Sequence, residues 1–270
     1  GYKQYERRKM TFATGVKSKM WEYKYKAEDP NFPEIPKITP GESQPDSERV
    51  SSFVYPGGIL AVHSKGRGKD AIWSALKNKN VYGTSGPRIL LWFDLINSSQ
   101  GKLPMGSEIT MSQNPKFIVR AAGSFKQNAG CSTESIDSLS PDRLDYLCAG
   151  ECYNPSNERR NIEKIEIIKI TPQIYAGESV TPLIQDPWMT IPCNGQAECI
   201  AEFDDQNYTR DSIYYVRAIQ EPTLAINGSI LKDRIEFNLC KGSFRTDLKD
   251  DCLSMTNERA WSSPIYVNKP

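Results

Sequence analysis

Histidine is almost missing from this chain: His63 is the one imidazole in 270 residues. A single imidazole cannot assemble a histidine-based metal centre. Nothing near it in sequence orients it as the base of a serine–histidine–aspartate relay. Charge of one sign is lacking too. The 34 Lys and Arg stand against 33 Asp and Glu, a formal net charge of +1. That balance supplies no global field to draw in nucleic acid or an anionic membrane, so neither is expected as a partner. Long apolar runs are absent: the longest covers residues 89–93, far short of a hydrocarbon core of ~30 Å, so no membrane span is expected. The opening "GYKQYERRKM" carries neither an initiator Met nor an apolar leader core. It reads as the start of a processed chain or of a piece.

Cysteine is absent before Cys131, and all seven residues then follow: Cys131, Cys148, Cys152, Cys193, Cys199, Cys240 and Cys252. Their surroundings are polar and turn-like, as in "PCNGQAEC" and "LCKGSFRTDLKDDC". No Cys-x-x-Cys knuckle occurs, which disfavours zinc. Disulfides in an oxidising compartment are the better reading, and the protein is expected to be periplasmic or secreted. Spacing suggests Cys193 with Cys199 and Cys240 with Cys252. The second closure would stabilise by roughly 3 kcal/mol in the chain-entropy view. Among Cys131, Cys148 and Cys152 the sequence does not choose.

What is present is a loop-rich globular composition, with 38% hydrophobic residues, 18 Gly and 18 Pro. Residues 24–50 form a charged, Pro-rich excursion without core-forming periodicity. Gly57 and Gly58 open a short strand at 59–63, and Gly66 and Gly68 break it. A helix follows, with Asp70 in its first turn, Ile72, Trp73, Ala75 and Leu76 as an apolar stripe, and Lys77 and Lys79 near its end. This is a β–α unit. Short β-like runs then lie at 89–96, 108–111, 116–122, 162–170, 198–203, 213–219, 234–238 and 260–267. Phe117 and Val119 alternate with Lys116, Ile118 and Arg120, the period of a partly exposed strand. Turn-bounded strands in such number suggest an antiparallel β-sandwich. The boundary is placed at Gly86-Pro87, giving regions 1–87 and 88–270.

"PGGILAVHSKGRGKDAIWSALKNKNVYGTSGPRILLWFDL", "IYYVRAIQEPTLAING" and "NERAWSSPIYV" resemble the C-terminal part of the domain-of-unknown-function 3604 family. That family looks like a branch of the PHP (polymerase and histidinol phosphatase) metal-dependent phosphoesterases. The resemblance implies an α+β chain: residues 1–87 end a PHP-like α/β catalytic fold, and 88–270 are a disulfide-bearing sandwich. It implies a metal-dependent hydrolase of a small ester or phosphoester, using divalent zinc or manganese. The His-x-His and Asp-x-His ligand motifs of such enzymes are not in this sequence. The ligands are therefore expected in an N-terminal catalytic half, the implied partner of this chain. No metal ligand is assigned here, and no metal is expected on this chain alone.

Within that reading "NVYGTSGPRILLWFDL" sets small polar groups at the mouth of a strand. His63, Thr84, Ser85 and Arg88 are the substrate-pocket candidates, and none is assigned a catalytic role. Each has a plainer explanation: His63 as a packed side chain, Thr84 and Ser85 as turn chemistry, Arg88 as a carboxylate partner. The basic turn with Lys65, Arg67 and Lys69 offers an anion site or an ordinary solvated face. Trp261 is expected to anchor the last strand. The alternative function is a non-catalytic binding or structural module.

Overall fold

The computed structural model describes residues 57–148, 152–226 and 253–270. The order of elements begins β1 (Ile59–Val62), α1 (Lys69–Lys77), β2 (Val81–Thr84), β3 (Leu90–Ser98), β4 (Gly101–Pro104), β5 (Glu108–Thr110) and β6 (Lys116–Ala122). Next come β7 (Phe125–Ala129), α2 (Thr133–Ser138), α3 (Pro141–Cys148), β8 (Tyr153–Arg159) and β9 (Ile162–Ile170). The chain closes with β10 (Ile184–Gln196), β11 (Glu198–Asp204), β12 (Ser212–Ile226), β13 (Leu253–Ser262) and β14 (Ile265–Asn268). The expected run at 234–238 and the Cys240–Cys252 pair lie outside the described residues.

The chain divides into two compact units. One comprises Gly57–Lys126, Ser156–Thr223 and Met255–Pro270. The other holds, among its described residues, α2 and α3, with Ser132 capping α2 by accepting a hydrogen bond from the Ser135 amide at 3.3 Å.

In the first unit, the long β12 is the spine of an eight-stranded sheet. One edge of β12 carries β9 and then β10. The other edge is shared: β13 leads on to β2 and β1, and β14 leads to β5. The four-stranded sheet runs β11-β6-β3-β4, antiparallel throughout. Alternation explains both sheets. Ile89, Leu91, Phe93 and Leu95 are fully buried, as are Phe117, Val119 and Ala121, while the residues between them stay partly or wholly exposed. From the larger sheet, Ile165 and Ile167 of β9 and Tyr214, Val216 and Ala218 of β12 enter the same core. Aromatic rings join the two layers: Phe117 of β6 lies 4.8 Å from Tyr214 of β12 between centroids. Phe93 and Phe203 stack on Phe117 at 5.3 and 5.2 Å. Burying one such ring stabilises by roughly 1.5–3 kcal/mol, and ring pairs add ~0.5–1.5 kcal/mol each.

The expected α+β class, with a terminal piece of a PHP-like α/β fold, is not what forms. A β–α–β crossover requires parallel strands. Here β1 and β2 pair antiparallel, from Ile59 opposite Thr84 to Val62 opposite Val81. β2 then pairs with β13, placing Thr84 opposite Ala260. Residues 59–84 are thus strands of the larger sheet with a helical connection, and the described chain is predominantly β. The stripe of α1 is not a buried face either. Ala75 is buried, but Trp73 is 67% exposed and Ile72 and Leu76 are exposed. Helical spacing marked a helix correctly and misjudged what it packs on.

Two glycines are fixed by close approach. A Cβ on Gly123 would stand 1.8 Å from the Arg160 carbonyl oxygen, and one on Gly106, at φ +89°, 2.4 Å from that of Lys79. Neither position accepts a side chain without moving backbone.

Candidate functional site

The sequence-nominated residues gather around β1, β2 and β13, but not into one cluster. His63 follows β1, beside the start of β2: its amide donates to the Asn80 carbonyl at 2.9 Å. Its Nε2 donates to the Leu91 carbonyl at 2.8 Å, and its ring lies 5.3 Å from Tyr82 and 5.8 Å from Trp92. Thr84 sits at the opposite end of β2, buried, with its Oγ1 accepting from the Gly86 amide at 3.2 Å. Ser85 donates through Oγ to Glu258 and accepts from the Arg259 amide at 2.9 Å. Arg88 is exposed just ahead of β3. Trp261 is half-buried opposite Gly83.

A second polar cluster forms where the sandwich core ends. Ile165 and Ile167 face the core from β9, and period two makes Lys169 the next residue on that face. Register places Lys169 opposite Tyr214 of β12 and opposite Gln185 of β10. From the other sheet, Cys199, Ala201 and Phe203 point inward along β11, and Asp205 continues that face past the strand end. The inward faces of both sheets therefore end in a charge, and the two charges meet. Lys169 donates to Asp205, which is 1% exposed. The Tyr214 hydroxyl donates to Asp205 Oδ2 at 2.5 Å, and the Asn207 amide to Oδ1 at 3.0 Å. Burial, and then the bond to Asp205, push the Tyr214 phenol well above its ordinary range. It stays protonated as a donor. The Lys169 ammonium also lies 5.5 Å from the centroid of the half-buried Trp188 ring, within cation–π reach.

Above this floor is a pocket of about 290 Å³ bounded by Lys169, Asp205, Trp188 and Leu183, with polar groups around its mouth. Arg210 stands at its edge. Both outer nitrogens of Arg210 donate to Glu178, at 2.9 and 3.0 Å, and Nη2 also donates to the Pro172 carbonyl at 2.6 Å. These bonds from Arg210 hold the Glu178 carboxyl below its usual range. The neighbouring Tyr208 is buried, and its hydroxyl has no hydrogen-bond partner among the described residues. Burial, with Asp211 and Asp205 close by, pushes this phenol up to about 12.

Sequence reading passed over this cluster. The signal was a lysine flanked by isoleucines in "IEKIEIIKI" and a paired carboxylate after the apolar positions of "ECIAEFDD". Each is ordinary by itself, and only their meeting is informative.

The expected Cys193–Cys199 disulfide is formed, with S–S 1.94 Å and Cα–Cα 5.5 Å, and it ties β10 to β11. Among the described residues no helix is long and apolar enough to cross a membrane. Among them, too, no group of three or more His, Cys, Asp or Glu is placed to hold a metal ion. The zinc or manganese that the resemblance implies was expected on ligands outside this chain, and no chemical step is routed through one.

Residues 14–129 match the family described as protein of unknown function (DUF3604). That match reaches the family alone and lends nothing to a PHP-like superfamily. No curated protein and no solved structure matches the chain.

Proposed function

We propose that the sandwich is a non-catalytic binding module of an exported protein, periplasmic or secreted, and that the pocket at the end of its core receives a small polar ligand. One observation carries this reading: the facing sheets end in the buried Lys169–Asp205–Tyr214 network, above which a pocket stands open. Here a buried ion pair, rarely the most stable filling for a core, is retained at the floor of a cavity. Each charge is neutralised by its partner, and Tyr214 is held protonated. The network rigidifies the floor. The disulfide supports export, because such bonds persist in oxidising compartments.

The test is calorimetric and spectroscopic. The 270-residue chain is titrated with small polar ligands while the Trp188 indole N–H is followed by NMR. Saturable shifts at Trp188, with no turnover of a generic phosphoester, are expected. Turnover by this chain that is lost on chelation would overturn the non-catalytic reading, and equally the expectation that a hydrolase's metal ligands lie in an N-terminal half outside this chain.

A further inference from the structure

Ligand size follows from volume. Pockets for drug-sized molecules run to ~300–1,000 Å³, and about 290 Å³ is at or below that floor. The space suits one ring rather than a peptide or a chain of rings held throughout.

Ligand charge follows from pairing. Two cations border the pocket, and both are matched. Lys169 is neutralised by Asp205, and Arg210 is held in a two-point bond by Glu178. A phosphate or carboxylate entering the pocket would have to compete with buried or firmly held carboxylates for those cations, and would sit near their negative charge. A cation would meet the Lys169 ammonium. The electrostatics therefore favour a neutral molecule.

Ligand functionality follows from the remaining wall. Thr171, Gln185, Asn207, Thr209 and Ser212 contribute uncharged hydroxyl and amide groups. Such groups can both donate and accept. The Ser212 hydroxyl is buried and donates to the Arg210 carbonyl at 3.0 Å, fixing the lining beside Arg210. Trp188 and Leu183 add an apolar side. The Trp188 ring is held in place edge-on to Phe203, with centroids 6.3 Å apart. A lining of hydroxyl and amide residues beside a fixed aromatic side chain complements a ring with hydroxyls on its rim and C–H groups on its face.

We infer that the pocket recognises a single neutral polyhydroxylated ring, the chemistry of one uncharged saccharide unit. The inference rests on the binding-module reading and narrows it to a ligand class.

Two sets of probes are titrated into the full chain by calorimetry and NMR. One set holds neutral methyl glycosides: methyl glucoside, methyl xyloside and methyl N-acetylglucosaminide. The other holds anions: inorganic phosphate, glucose 6-phosphate and glucuronate. At least one neutral glycoside is expected to saturate and to shift the Trp188 indole signal. Thr209→Val and Asn207→Ala, both at exposed positions, should each weaken that binding about 10-fold, one lost hydrogen bond, with melting unchanged. Binding of the anions without the glycosides overturns the ligand class and leaves a binding module. Failure of both sets to shift Trp188 overturns the ligand class and the binding module together. Glycoside binding that survives both substitutions overturns the assignment to this pocket.

Discussion

Two polar regions of one sandwich are built in opposite ways. Around β2 and β13, polar side chains serve the backbone: His63 bonds the Leu91 carbonyl, Thr84 the Gly86 amide, and Ser85 the Arg259 amide. These contacts complete turns and strand ends. At the far end of β9 and β11, Lys169, Asp205 and Tyr214 bond chiefly to one another, and space is left above them. A polar group spent on its own backbone has little capacity left for a ligand. A network that satisfies itself from below can present a shaped, rigid floor.

The comparison breaks most sharply at Asp205. Asp205→Ala leaves the Lys169 ammonium and the Tyr214 hydroxyl without their partner at the core's end, and should cost about 3–5 kcal/mol of unfolding free energy by urea denaturation. Lys169→Met with Asp205→Leu removes both charges and should recover most of that loss while abolishing ligand binding. If the double variant is as unstable as Asp205→Ala, the pair is not the source of the cost.

Next in size is the disulfide. Replacing Cys193 and Cys199 by Ser opens a loop with a sequence separation of 6, which should cost about 2 kcal/mol on chain entropy. Intact mass with and without reductant should show the bond in exported material, and a free thiol pair would remove the support for export. On the other side of the comparison, Ser85→Ala should cost about 1 kcal/mol, the worth of an ordinary hydrogen bond, with ligand binding untouched. Arg88→Ala, at an exposed position, should stay within about 0.5 kcal/mol. A ligand-binding defect in either variant would move the site back to the β2 end.

The smallest effect is in pH. Burial tends to raise the Glu166 carboxyl, but bonds from Lys164 and the charge of Arg217 outweigh it and lower the pKa below the usual 4.5. A carboxyl lowered in the folded state stabilises fully above its unfolded pKa, and that contribution fades as pH falls through the folded value. Glu178, lowered by Arg210, acts in the same sense. Stability between neutrality and pH 3 should therefore fall less steeply in Glu166→Gln than in the unaltered protein. Parallel curves would show that Glu166 titrates alike in both states.

Much of the β architecture was legible because burial acts on alternate residues. The expected strands at 116–122 and 162–170 coincide with β6 and β9, and the alternation of Ile89, Leu91 and Phe93 runs from just ahead of β3 into its core face. β10 was not foreseen. Its 13 residues include Pro187, Pro192 and Gly195, and its register against β9 shifts twice. Punctuation of that kind reads locally as loop, and pairing with a neighbour overrides it. The residues 260–267, read as one run, fall on two strands that share one edge of β12 and differ in their outer neighbours, β2 for β13 and β5 for β14.

By itself the sequence determined several of the strands, the alternation along 89–93 and 116–120, and that Cys193 and Cys199 were close enough to join. These are local properties, set by a period of two and a short closure. Strand direction and partner were decided only in the folded chain. The connection from β1 to β2 contains a helix, as a parallel crossover would, yet the strands pair antiparallel and enter the larger sheet through β13. The pocket belongs to the same level. Lys169 and Asp205 lie 36 residues apart, and each is only the next inward position on its own strand. They meet because the two sheets stack, and that stacking is a sum over many buried side chains which no single segment encodes.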